Sequence, residues 1–179
     1  MSILQKEFYF IRHGEVCFNV DSNLTHELDP SLTPRGIKQA LSVQTMIDQL
    51  TIQTICVSPL KRALETKVII AKNIKCQSIV INELEECSTE VWNKMVSCTD
   101  SISDNVCDFF NQAQMGINKA LSYPGPVLII DHGGIHWAMC NLMNIQGYEK
   151  KIGNCELVKF NFSDSLEWTA TPFNLSCVI

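Results

Sequence analysis

No apolar run in this 179-residue chain approaches the roughly 20 residues needed to cross a bilayer, so no membrane role is expected. Positive charge is also scarce. Fourteen Lys and Arg stand against 19 Asp and Glu, a formal net charge of −5, and no Lys/Arg cluster marks a basic face. Nucleic acid is therefore not an expected partner. A compact cationic pocket remains compatible with an acidic chain, because local potential and net charge are separate quantities. Cysteine is plentiful, nine in all, but the count is odd, the spacing irregular and Cys-x-x-Cys absent. Disulfide frameworks and paired-cysteine zinc sites are both disfavoured. The first seven residues, Met-Ser-Ile-Leu-Gln-Lys-Glu, show no basic stretch leading into an apolar one, so no secretory leader is expected. The expectation is a reduced cytoplasmic protein whose cysteines are small core residues, with Cys17 and Cys87 as candidates for a reactive thiol. Repeats, low-complexity segments and linkers are missing too.

What is present is a globular composition, 46% hydrophobic and 18% charged, in a length that suits one domain. Strand patterns are expected at 7–12, 54–58, 78–81 and 127–131, with a terminal hairpin of 156–162 and 167–173 turning at Ser163-Asp164-Ser165. Between them, Thr33-Pro34 marks a helix start, and Ile37, Ala40, Leu41, Val43, Gln44 and Ile47 carry that helix to about Leu50. A second helix starts at Pro59, with Leu60, Ala63, Leu64, Val68 and Ile69 on its buried side. A third covers 101–121 with Val106, Phe109, Phe110 and Ile117 inward, and Pro124-Gly125-Pro126 ends it. A fourth runs from Gly133 to about Met143. Residues 14–32 are expected as a long polar loop and 82–99 as irregular. Strands alternating with helices imply an α/β three-layer sandwich, a mostly parallel central sheet with helices on both faces. One domain over 1–179 is expected, with a small cap region around 82–99.

Two histidines fall where a strand gives way to a loop: His13, after Phe-Ile-Arg, and His132, after Val127–Asp131. Open α/β sheets place ligand sites at such carboxyl ends. Arg12 beside the first histidine suggests an anion site and phosphoryl transfer through a histidine. Charge on a phosphoryl group's oxygens makes catalysis mainly a matter of positioning and cationic stabilisation. Arg12 and Arg62 offer forks of donors matched to those oxygens. Asn19 can add a side-chain N–H, and the helix start near Gly133 can add backbone N–H groups.

The ordered motifs sharpen this. Arg12-His13-Gly14-Glu15 with Asn19, Leu32-Thr33-Pro34-Arg35-Gly36-Ile37-Lys38-Gln39-Ala40, Ser58-Pro59-Leu60-Lys61-Arg62-Ala63 with Thr66, Leu84-Glu85-Glu86, Asp131-His132-Gly133-Gly134 and Asn154 occur in that order. Together they resemble the histidine phosphatase superfamily, the phosphoglycerate-mutase-like group. Val16 departs from a usual threonine, and Cys87-Ser88-Thr89 from a usual glycine-containing run. The resemblance implies a phosphoglycerate mutase-like fold and a histidine-type phosphomonoesterase. His13 would be the nucleophile forming a phosphohistidine, with nearby arginines lowering its pKa. A backbone carbonyl would fix its tautomer. His132 would donate to the phosphoryl oxygens. The acid that protonates the leaving oxygen would be Glu86, with Glu85 as its rival.

No metal and no organic cofactor are implied. His132-x-x-x-His136 lacks the glutamate of a zinc helix, and His136 is expected as a polar residue near the pocket mouth. His26, in the long loop, is a candidate substrate contact; Trp92 and Trp137 are candidate pocket walls. His13 and His132 lie 119 residues apart, too short a span for the longer insertion of the mutases, so hydrolysis of a small-molecule phosphate ester is the leading expectation. A phosphohistidine or phosphoprotein phosphatase, a phosphoglycerate mutase and a non-catalytic phosphate-binding module are the alternatives. Monomer and homodimer both stay open; Cys177-Val178-Ile179 is a candidate pairing edge.

Overall fold

Phe8, Phe10 and Ile11 are fully buried, which seats strand β1 (Phe8–Arg12) inside a sheet rather than at its rim. A short helix α1 (Cys17–Val20) interrupts the expected polar loop. Helix α2 (Pro34–Asp48) starts where Thr33 accepts a hydrogen bond from Gly36 N at 3.0 Å, with proline at its first position. Strand β2 (Thr54–Val57), helix α3 (Lys61–Ile70) and strand β3 (Gln77–Val80) follow. After a 3-10 turn at Asn82–Leu84 come helices α4 (Thr89–Val96) and α5 (Asp104–Leu121), strand β4 (Val127–Asp131), helix α6 (Gly133–Leu142) and the antiparallel pair β5 (Leu157–Phe162) and β6 (Trp168–Pro172). The computed structural model describes residues 2–20, 29–97 and 103–173. His26 and the terminal Cys177-Val178-Ile179 lie outside the described residues.

The sheet order is β3-β2-β4-β1-β5-β6. The first four strands are mutually parallel, and the last two antiparallel. All five residues of β4 are buried, as a central parallel strand covered on both faces requires. One face carries Phe8, Phe10, Val127, Ile129 and Phe160 against α4, α5 and α6. The other carries Ile11, Val57, Leu128 and Ile130 against α2 and α3. The three layers expected from the sequence are thus present. Strand β4 lies between β1 and β2, so the carboxyl ends of three neighbouring strands open onto one spot.

Several expectations need correction. The part of 82–99 that is described, residues 82–97, is not irregular: Ser88 accepts a bond from Val91 N at 3.3 Å and caps α4, whose Val91 and Met95 are buried. Helix α3 begins two residues after Pro59, and Val68 faces solvent. Its buried residues are Arg62, Ala63, Thr66 and Ile70, because the helix is turned to send Arg62 and Thr66 inward. Likewise Ile37 and Leu41 lie on the exposed side of α2.

Candidate active site

Parallel pairing sets Arg12 opposite Asp131, and His13 N donates to Asp131 O at 2.9 Å. The turn after His13 is clamped from two helices. Gly14 N donates to Thr66 Oγ1 at 3.0 Å and Glu15 N to Gln39 Oε1 at 2.8 Å. Gly36 packs so close that a Cβ there would run into the Glu15 backbone. His13 is thereby buried and oriented. Its Nδ1 donates to Gly14 O at 2.7 Å, which leaves Nε2 with a free lone pair. Arg62 Nε donates to that Nε2 at 3.3 Å. His132 caps α6 from the end of β4, its ring centroid 5.1 Å from that of His13. Ser58, just past β2, lies with Oγ 2.7 Å from His132 Nε2, and the same oxygen accepts from Leu60 N. If the hydroxyl donates to Nε2, the imidazole proton sits on Nδ1, which is buried and has no partner among the described residues.

Both arginines converge on this pair. Arg12 is the last residue of β1, and Nη1 donates to Ile152 O at 2.7 Å. Its Nε has no partner among the described residues. Arg62 reaches Asp29 at 3.3 Å, and its guanidinium carbon lies 5.4 Å from the centre of the Phe18 ring. Burial lowers the pKa of both guanidinium groups, while the Glu86 charge opposes that effect in each. Burial also pulls His13 down to about 3, and Arg12 and Arg62 add to it. The sequence pointed to the arginines alone; desolvation is the larger cause. His132 is held well below the ordinary imidazole value, first by burial and then by His13 and the arginines. Both imidazoles are neutral at pH 7.

Glu86 sits over the first turn of α6. Its Oε2 accepts from Gly134 N and its Oε1 from Cys87 N, both at 3.0 Å. A Cβ on Gly134 would collide with Glu86 Oε1. Glu85, the rival, is exposed, and its backbone carbonyl accepts from Gln112 Nε2 at 2.8 Å. Asn19 Oδ1 accepts from Val16 N and from Asn154 Nδ2, and Asn154 Nδ2 also donates to His13 O. Gly133 opens α6 directly against the Arg12 guanidinium. Arg12, His13, Asn19, Arg62, Glu86, His132 and Gly133 therefore share one locality, whereas Glu85 points away from it.

Other expectations do not hold. His136 is not near a pocket mouth. It is fully buried among Phe10, Tyr148 and Phe160, donates from Nδ1 to Lys150 O at 3.0 Å, and is held by burial at about 4. Cys87 is not activated: burial and the adjacent Glu86 charge raise its pKa. Trp92 and Trp137 pack edge to face, 6.0 Å apart. A cavity of about 610 Å3 lies elsewhere, bordered by Tyr148, Glu156 and Trp168; it holds none of the converging groups. Among the described residues, no cluster of three His, Cys, Asp or Glu side chains could hold a metal, and no helix is long and apolar enough to cross a membrane. Sequence reasoning missed the roles of Ser58, Asp29 and Asp131. Ser58 and Asp131 belong to the ordered motifs and Asp29 lies just before one of them, but only the fold shows what they touch.

The chain is similar to several known proteins. A probable phosphatase of Schizosaccharomyces pombe is 50% identical over 66 residues, 35% of this chain; the chain thus spans about a third of that relative's length, 31%. A probable phosphoglycerate mutase of Proteus mirabilis is 25% identical across 92% of this chain and 88% of its own. Phosphoserine phosphatase of Entamoeba histolytica, solved with 3-phosphoglyceric acid, superposes with a TM-score of 0.72 at 23% identity, covering 94% of this chain and 96% of that one. That last likeness speaks to the fold. The family model for the histidine phosphatase superfamily, branch 1, matches residues 8–114, more than half of the sequence, and the chain belongs to that superfamily.

Proposed function

We propose that the protein is a phosphatase that hydrolyses phosphomonoesters of small molecules through a phosphohistidine at His13. One observation carries this reading: the His13 ring is neutral, its Nδ1 proton is committed to Gly14 O, and its Nε2 lone pair faces Arg62 and the His132 ring. A phosphoryl group replaces the Arg62 contact at Nε2, and both arginines take up its non-bridging oxygens. Nδ1–H of His132 is the further donor. The P–O bond breaks as the N–P bond forms, and Glu86 supplies the proton to the leaving oxygen. Water then attacks the phosphohistidine, with Glu86 taking the proton back. Residues 82–97 serve as the cap over the leaving group. Small phosphorylated acids are a reasonable substrate class, since the Entamoeba histolytica protein was solved with 3-phosphoglyceric acid.

A screen of phosphorylated metabolites tests the reading. Inorganic phosphate release is expected from some of them, resistant to EDTA and abolished by His13→Ala. Rapid alkaline quench should trap acid-labile phosphate on the wild type only. Absence of turnover with every ester, or strict metal dependence, would overturn the proposal. A second reading has a specific observation behind it: both Glu86 oxygens already accept backbone bonds. A phosphorylated imidazole departs without a carboxylic acid, so a phosphohistidine phosphatase would tolerate Glu86→Gln. Small-molecule ester hydrolysis predicts instead that Glu86→Gln slows alkyl esters by about 100-fold or more, and slows dephosphorylation of a preformed phosphohistidine far less.

A further inference from the structure

The reaction just described leaves one buried acid unused. Asp131 is inaccessible to solvent, and among the described residues neither of its carboxyl oxygens has a hydrogen-bond partner. An unpartnered carboxylate in that position is costly. Burial accordingly holds the group well above the usual carboxylate range, and the Glu86 charge pushes the same way. The His132 backbone N–H and the Arg62 charge oppose this more weakly. Complete burial with both oxygens unpartnered therefore favours the neutral carboxylic acid over the carboxylate in the free protein. Its Oδ1 lies 3.7 Å from His132 Nε2. The groups bearing on the pair come from every side of the site: Arg12 from the end of β1, His13 from the turn after it, Arg62 from α3 and Glu86 from the 82–97 segment.

Direct donation to a leaving group does not fit. That oxygen departs in line with His13 Nε2, on the far side of the phosphorus. Asp131 is instead the strand neighbour of the nucleophile.

Resting on the phosphatase reading above, we propose that Asp131 is a positioning residue that stores a proton for His132. When a phosphoryl dianion enters, the Asp131 O–H bond breaks and an N–H bond forms at His132 Nε2. A carboxylate and an imidazolium remain, and no proton comes from solvent. The incoming dianion drives the transfer, because nearby negative charge favours the imidazolium. A gap of 3.7 Å exceeds hydrogen-bond range, so a side-chain rotation precedes the transfer. The Ser58 hydroxyl then turns from donor to acceptor, which a rotatable O–H allows. His132 now offers the phosphoryl group a charge-assisted Nδ1–H bond, about twice as strong as a neutral one. The proton returns when phosphate leaves.

The test is 15N NMR of the His132 ring nitrogens at pH 8, assigned with His132→Gln, with and without inorganic phosphate. In the wild type, one protonated ring nitrogen is expected without phosphate and two with it. In Asp131→Asn, which keeps the shape but carries no proton, one is expected in both conditions. In parallel, kcat of Asp131→Asn should fall about tenfold at pH 8 and recover to within about twofold at pH 6, where solvent can protonate His132 once the phosphoryl dianion is bound and favours the imidazolium. A phosphate-bound wild type with a singly protonated His132 overturns the proposal, even if the variant fails to fold. So does an equal loss of kcat at both pH values, the mark of a purely structural residue. The spectrum needs phosphate binding and not turnover. A doubly protonated His132 in a protein that cleaves nothing would sink the phosphatase reading while leaving the proton transfer standing.

Discussion

At the scale of single residues, the site works by committing protons in advance. Gly14 O fixes the His13 proton on Nδ1, and a Ser58 hydroxyl that donates to Nε2 fixes the His132 proton in the same position. In the proposed reaction the two rings then take opposite roles with the same tautomer: His13 offers its bare nitrogen to the phosphoryl group, and His132 offers its N–H. Ser58→Ala removes the partner of Nε2 and lets His132 adopt the wrong tautomer. We expect kcat to fall about 10- to 100-fold while KM moves little, and stability to drop by about 1–2 kcal/mol. Steady-state kinetics and thermal denaturation check both; an unchanged kcat would remove Ser58 from the account. The nucleophile and its arginine were legible because a histidine at a strand end carries its own context. Ser58 and Asp29 were not legible in function. Each acts on a partner 74 and 33 residues away, respectively, and no local pattern encodes such a contact.

At the scale of elements, the start of α2 is a clamp for the nucleophile's turn. Thr33 N donates to Glu15 O at 2.9 Å, Thr33 Oγ1 donates to Glu15 Oε1 at 2.8 Å and caps the helix, and Gln39 Oε1 holds Glu15 N. Gly36 is the point of contact. The Leu-Thr-x-x-Gly-x-x-Gln-Ala spacing is thus explained by packing rather than by chemistry. Gly36→Ala would place a methyl group against backbone that has no rotamer to escape into. A loss of about 3 kcal/mol is expected, a fall in Tm of roughly 10 °C, and calorimetry reads it. A Tm within a degree of wild type would mean that the turn is not held this way. Helix α3 shows the limit of periodicity. Its apolar residues predict one buried face, yet Arg62 and Thr66 occupy the interior and Val68 is exposed. Function has rotated the helix away from its hydrophobic optimum, as functional sites are prone to do. Helix α4 escaped notice for a different reason. Eight residues with a lone Val91/Met95 pair are too short for a repeating pattern to stand out.

At the scale of the whole molecule, three buried neutral histidines couple folding to pH. His13 and His136 titrate near 3 and 4 in the folded state, and His132 well below its ordinary value, against about 6.5 in an unfolded chain. Between those values the unfolded chain binds more protons, so their stabilising effect is complete above about pH 6.5 and is lost as pH falls. His136 alone accounts for about 3 kcal/mol of that loss by pH 4. Asp131 acts with the opposite sign: its raised folded value costs stability as pH rises above about 4. Three groups against one leave a net acid sensitivity. Tm should fall steadily from pH 6.5 to 4.5, and more shallowly in His136→Gln; parallel curves for the two proteins would refute the assignment. The architecture itself was legible, since β4 is an unbroken apolar run and the helices alternate with strands. The burial of His136 was not, because α6 is apolar nearly all round and a histidine within it looks like a solvent-facing exception.

One contact joins these scales. The Glu86 carboxyl bonds the backbone N–H groups of Gly134 and Cys87, one with each oxygen. A carboxylate accepts both at full strength, whereas a carboxylic acid must spend one oxygen as O–H. If Glu86 is the proton donor proposed above, the seam between the 82–97 segment and α6 is slack while the acid is loaded and draws shut at the moment the alcohol departs. Each turnover would then open and close a latch whose key is the very proton the substrate consumes.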